Sequence, residues 1–189
     1  QVPGRFNQVN AEAVWQVAKA LGLKKEDVAR TLSGYSGSWR RMEEIEPIEE
    51  KYDGCIFFSD YGHHPTEVRS TLEALKEKYK DKKLAVVFEP HQVKRTTDLF
   101  DDFLGAFDSA DTICLLPVYQ VAGREKGTGK SSEDMYNALS KRLPEKDVFY
   151  RKNLEEALAL IKEGVVVFMG AGSIDGVVRG HFRTKLLPR

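Results

Sequence analysis

Apolar residues are spaced in two different ways along this chain. Near the start they recur at helical intervals. Ala11, Val14, Trp15, Ala18 and Leu21 share one side of a helix predicted over Asn10 to Leu21, and Gly22 ends it. A second short helix is predicted from about Lys24 to Leu32. The Gly- and Ser-rich stretch SGYSGSW, 33–39, reads as a loop, and the acidic run from Glu43 to Glu50 as a solvated linker. A domain boundary is expected there.

Beyond the linker, short apolar runs alternate with helical patterns. Strands are predicted at Cys55 to Ser59, Leu84 to Phe88, Thr112 to Leu116, Val148 to Tyr150 and Val165 to Met169. Between them, Val68, Leu72, Leu75 and Tyr79 make one helical face, with Pro65 at the first position, where its missing N–H costs nothing. Leu99, Phe100, Phe103 and Phe107 mark another helix. Ser131 with Asp134 starts a third, as a capping box. Asn153 with Glu156 starts a fourth, carrying Leu154, Leu158 and Ile161. Gly170-Ala171-Gly172 leads into a last one.

Such alternation predicts an α/β fold, with a mostly parallel sheet covered by helices on both faces. In a parallel sheet every loop that follows a strand emerges at the same edge, and ligands bind at that edge. Those loops contain DYGHHP, EPHQVKR, PVYQVAGREKGTGKSS and GAGS. They hold His63, His64 and His91, three of the 4 histidines, together with Arg95. The crowding of Asp60, Tyr61, His63 and His64 into one turn is more than a surface loop requires.

Bulk properties narrow the choices. The 189 residues are 41% hydrophobic, enough for one good core. Lys plus Arg and Asp plus Glu both number 29, so bulk charge argues against a nucleic-acid or membrane-surface binder. No apolar segment is long enough to span a bilayer. Cys55 and Cys114 lie in apolar runs and read as buried, reduced thiols, which fits the cytosol. The chain opens on Gln, and QVPGRFNQVNAEAV reads as the middle of a longer polypeptide.

Three motifs have plainer alternatives. GTGKSS, 127–132, departs from the phosphate-binding Walker pattern because Arg124 stands where its first glycine belongs and Gly123 misses by one; it reads as a loop entering a helix. GAGS at Gly170 suits either tight strand–helix packing or a phosphate contact. Asp60, His63, His64 and His91 are metal-ligand types, but their spacing matches no standard signature, so substrate contact is the better reading and no metal site is assigned. His64 has a purely structural alternative, capping the helix behind it.

DYGHHPTEV and FEPHQVKRT together resemble the C-terminal domain of the Mur ligases, which build the peptide stem of bacterial peptidoglycan. GRFNQVNAEAV is similar to the Asn-rich end of that family's central ATPase domain, LSGYSGSWRRMEEI to its junction motif, and VVVFMGAGSID to its last strand and turn. The resemblance covers nearly the whole chain. It implies a three-layer, Rossmann-like domain over 47–189, preceded by a short helical tail of the central domain and linker over 1–46. Among the family's members it is nearest to those that join L-alanine to UDP-N-acetylmuramic acid, using ATP and Mg²⁺ through an acyl phosphate. By resemblance, Asn10, Arg40, Arg41 and Asp60 would contact ATP, with Asp60 on the ribose. Tyr61, His63, His91 and Arg95 would line the pocket for L-alanine and the reacting carboxylate.

Gln92, Phe6 and Ser173 depart from residues common in the family. The Walker loop, the UDP-binding domain and the magnesium carboxylates are expected in missing N-terminal and central domains. The chain alone is therefore expected to be inactive. The alternatives are a Mur ligase that takes a recycled murein peptide, and a stand-alone nucleotide-binding module.

Overall fold

The computed structural model describes residues 4–185 apart from 36, 50, 53 and 122–127. Two helices come first, α1 (Arg5–Ala20) and α2 (Lys25–Ser33). Seven strands follow: β1 (Glu43–Pro47), β2 (Cys55–Asp60), β3 (Leu84–Phe88), β4 (Thr112–Leu115), β5 (Asp147–Tyr150), β6 (Gly164–Met169) and β7 (Phe182–Thr184). Between them lie α3 (Pro65–Lys78), α4 (Val93–Asp98), α5 (Phe100–Leu104), α6 (Ser132–Arg142), α7 (Leu154–Leu158) and α8 (Ile174–Val178).

The sheet order is β5-β4-β3-β6-β2-β1-β7. The strands from β5 to β2 are parallel, whereas β1 runs antiparallel to both β2 and β7. All six residues of β6 are buried, as befits a strand covered on both faces. Side chains alternate across it. Val165, Val167 and Met169 join Leu72, Leu75, Phe88, Phe103 and Phe107 in the core on one face. Val166 and Phe168 join Phe57, Leu158, Ile174, Val178 and Phe182 on the other. The three-layer α/β architecture expected from the alternating pattern is present.

Two local readings are corrected. The supposed linker at Glu43–Pro47 is strand β1, with Ile45 buried beneath it. Its glutamates are matched by cations far along the chain: Glu43 by Arg179, Glu44 by Lys185 and Glu46 by Arg183. An acidic run reads as solvated only while those partners are unknown, and the expected boundary between 46 and 47 falls inside this strand. Strand β7, which carries one of the cations, Arg183, has no signal in the sequence pattern. The single helix expected through Leu99 and Phe107 is two short ones that meet at Leu99 (φ −112°, ψ 21°). Phe103 and Phe107 are fully buried all the same.

Candidate active site

Strand β2 ends in Asp60, a carboxylate that is only 4% exposed. Burial raises its pKa. Two backbone donors oppose the rise, Gly62 N–H at 2.7 Å and Met42 N–H at 2.8 Å. Asp60 thus ties the junction before β1 to the turn after β2. His64 then caps α3: its Nδ1 accepts Thr66 N–H at 3.3 Å, while Glu67 reaches back to the His64 N–H at 3.1 Å. Pro65 occupies the first helical position as expected. Of the two adjacent histidines, His64 turns to its own helix and His63 is left for the site.

Glu67 also accepts the His63 N–H at 3.0 Å and lies 3.6 Å from both Arg41 and the His63 ring. Burial would raise its pKa. The backbone N–H donors of His63 and His64, with the nearby Arg41 and His63 side chains, outweigh that and hold it below the usual carboxylate range.

Tyr61, His63, His91 and Arg95 come together at the carboxyl edge. Tyr61 stands edge-on to His63 at 5.2 Å between ring centroids, and His63 lies 6.0 Å from His91. Arg95, one turn along α4, places Nη1 3.4 Å from His91 Nδ1. Because a guanidinium only donates, this contact requires His91 Nδ1 to accept, with the proton of the neutral ring on Nε2. Tyr119, which the sequence did not single out, stacks on His91 at 5.5 Å and 15°. Its backbone is bonded on both sides, Gln92 N–H to its carbonyl at 2.9 Å and its own N–H to Pro90 O at 2.7 Å. Gln92 adopts φ 71°, a left-handed conformation at the start of α4.

Beside this cluster a cleft of about 490 Å³ opens between α1 and α3. Asn10, Arg41, Asp60, Glu67, Ser70 and Thr71 are among its walls. Three of the four residues expected at ATP therefore share one cavity. Arg40 does not line it. Its side chain is buried, donating from Nη2 to Gly170 O at 2.5 Å.

The glycine turn after β6 is packed against its neighbours. A Cβ at Gly172 would lie 2.3 Å from Glu89 Oε2 and 2.4 Å from the Tyr119 ring. Glu89 itself takes the donors of this turn, Ile174 N–H at 3.1 Å and Ser173 Oγ–H at 2.7 Å. A carboxylate already fills the place where a phosphate would sit, which favours packing over phosphate contact. In the GTGKSS stretch, Gly127 and the preceding Gly123 and Arg124 lie outside the described residues. From Thr128 onward it is a loop entering α6, with Ser131 and Asp134 forming the expected capping box.

Among the described residues, no group of three or more His, Cys, Asp or Glu converges as a metal site. No described helix is long and apolar enough to cross a membrane. No disulfide joins Cys55 and Cys114, and burial pushes the Cys114 thiol up to about 12.

This edge can be compared with known proteins. Residues 40–172 match the family described as Mur ligase, glutamate ligase domain. The chain belongs to the Mur ligase family. A UDP-N-acetylmuramate–L-alanine ligase from a Hydrogenobaculum species is 43% identical over 176 residues, which are 92% of this chain and 37% of that relative. The crystal structure of UDP-N-acetylmuramate-alanine ligase from Thermotoga maritima superposes with a TM-score of 0.73 at 27% identity, covering 95% of this chain and 37% of that one. A murein peptide ligase from Psychrobacter arcticus shares the fold, with a TM-score of 0.66 at 23% identity and the same coverage of 95% and 37%. This Mur ligase chain thus spans a little over a third (37%) of the length of the relatives it matches.

Proposed function

We propose that this chain is the C-terminal part of an ATP-dependent ligase that joins L-alanine to UDP-N-acetylmuramic acid in peptidoglycan synthesis in the cytoplasm. The observation that carries the reading is the row Tyr61–His63–His91–Arg95 beside the Asn10–Arg41 cleft, in a chain 43% identical to a UDP-N-acetylmuramate–L-alanine ligase. We further infer that the unit boundary lies just before Arg40, where the family match begins, and that α1 and α2 belong with the central domain.

Amide formation needs a carboxylate made electrophilic, an amine stripped of one proton, and exclusion of water. When bound, ATP supplies the phosphoryl group that activates the sugar carboxylate. Toward that nucleotide the cleft offers the Asn10 amide, the Asp60–Glu67 side and the half-exposed Arg41 cation, a set that fits a ribose and phosphates. Arg95 suits the carboxylate of the incoming amino acid, because a guanidinium fork binds it bidentately. That carboxylate would orient the amine toward His63 and His91. A neutral imidazole there can take the ammonium proton before attack. Tyr61 and Tyr119 form the sides of the row and limit the room for a side chain. Ligands for Mg²⁺ would come from beyond the described residues, and no step above depends on them.

The experiment restores the missing domains from a close full-length ligase and measures amino-acid-dependent ADP formation with UDP-N-acetylmuramic acid. Turnover with L-alanine that His63→Ala and Arg95→Ala both cripple supports the reading. Turnover only with a peptide would move it to a recycling ligase. A folded chimera inactive with every amine would overturn it.

A further inference from the structure

We propose that Arg40 is a positioning residue for the amine pocket. Its guanidinium and its carbonyl hold the Tyr61 turn, while the adjacent Arg41 serves the nucleotide cleft. The identity of the two ligands rests on the function proposed above.

The two arginines differ in burial. The Arg40 side chain is 10% exposed and that of Arg41 55%. The backbone forces the split. Arg40 (φ 54°) and Met42 (φ 48°) both adopt left-handed conformations, which non-glycine residues rarely hold unless their surroundings fix them. Here they are fixed from several sides. Arg40 N–H donates to Glu43 Oε2 at 2.9 Å, Met42 N–H donates to Asp60 at 2.8 Å, and Arg40 O accepts Tyr61 N–H at 2.8 Å.

The Arg40 charge is spent internally. Its guanidinium bonds to Gly170 O and lies 3.7 Å from Asp175. Asp175 also accepts Ser59 Oγ–H at 2.7 Å and lies 3.3 Å from Arg179, which pairs with Glu43 at 2.6 Å. Arg40 and Arg179 lie among Glu43 and Asp175, so two cations balance two carboxylates, although Arg40 Nε makes no hydrogen bond of its own. A phosphate drawn to Arg40 would have to break this balance.

What Arg40 does reach is Tyr61. Its Cζ lies 4.7 Å from the centre of that ring, closer than the 5.6 Å of Arg41. Arg40 therefore grips Tyr61 at the backbone and at the ring face. Tyr61 passes this on to His63 through its ring edge and through its carbonyl, 3.0 Å from His63 Nδ1. A change at the junction before β1 would then be felt at the amine pocket without any movement of the nucleotide contacts.

The test uses Arg40→Met, Arg40→Lys and Arg41→Met in the restored ligase, and the ring signals of His63 in the 189-residue chain by NMR. His181, which faces Glu155 instead, is the internal control. Arg40→Met is expected to raise KM for L-alanine about tenfold and leave KM for ATP within about twofold, with Arg40→Lys intermediate. Arg41→Met is expected to do the reverse. In the chain alone, Arg40→Met should shift the His63 signals and not those of His181. If Arg40→Met unfolds the chain, Arg40→Lys carries the same comparison. An unchanged KM for L-alanine with unmoved His63 signals would overturn the proposal. So would a KM for ATP that rises as much in Arg40→Met as in Arg41→Met, since Arg40 would then meet the nucleotide itself. If the unsubstituted ligase does not use L-alanine, the function proposed above fails, and the His63 shift still decides whether Arg40 holds Tyr61.

Discussion

Residue by residue, neighbours decide what each charge can do. Arg40 and Arg41 are adjacent and chemically identical, yet one is locked into a buried network and the other is offered to a cleft. Arg95 is expected to matter through a charge-assisted pair with a carboxylate. Such bonds contribute about 1.5–3 kcal/mol, so Arg95→Ala should lower kcat/KM for the amino acid roughly 10–100-fold in the restored ligase. Arg95→Lys should recover only part, because an ammonium cannot match both oxygens. Glu43 sets a pH dependence. Burial raises its pKa, but the Arg179 hydrogen bond, the Arg40 N–H and Thr184 outweigh that and hold it low. A lowered folded pKa means that the stabilisation is present above the ordinary carboxylate value, about 4.3, and is lost as pH falls through the folded value. Urea unfolding of Glu43→Gln should therefore lose less stability than the unsubstituted chain between about pH 5 and pH 3. Asp60 runs the other way: its raised pKa costs stability as pH rises through the window up to its folded value.

At the scale of elements, α3 links core to site. Leu72 and Leu75 are fully buried on one side, and the first turn of the helix holds His64 and Glu67 on the other. Leu72→Ala should destabilise the chain by about 2–5 kcal/mol in chemical denaturation. His64→Ala should cost only about 0.5–2 kcal/mol, the worth of a cap, and should leave the amine KM nearly unchanged. A large catalytic loss from His64→Ala at wild-type stability would mean that His64 meets substrate after all. The elements also show where the sequence was legible. The unbroken apolar run of β6 and the 3.6-residue period of α3 are local and strong, so both were read correctly. Strand β1 was not, because EEIEP carries charges whose partners, Arg179, Arg183 and Lys185, arrive more than a hundred residues later. The helix through Phe103 was read as one because its apolar spacing continues across the break at Leu99.

The whole molecule makes a site that faces outward. Helix α1, which forms one wall of the cleft, carries Val9, Val14 and Val17, and with its cap Leu21 all are at least 49% exposed. The chain spans 37% of its relatives' length, and among the described residues no group of three or more His, Cys, Asp or Glu converges as a metal site. We therefore expect the 189-residue chain to release no phosphate from ATP with L-alanine and UDP-N-acetylmuramic acid, and to bind nucleotide only weakly in calorimetry. Tight nucleotide binding by the chain alone would favour a stand-alone module instead.

The sequence by itself determined the alternation of strand and helix, the capped starts of α3, α6 and α7, and the gathering of histidines in the loops after strands. These are short-range consequences of periodicity and capping chemistry, and parallel topology alone puts such loops at one edge. Tertiary structure decided the rest. It added β1 and β7 to the sheet, set His63 beside His91, brought Tyr119 onto His91, and separated Arg40 from Arg41. Each of these depends on contacts between distant segments or on a left-handed backbone residue. Neither leaves a periodic trace in the order of the amino acids.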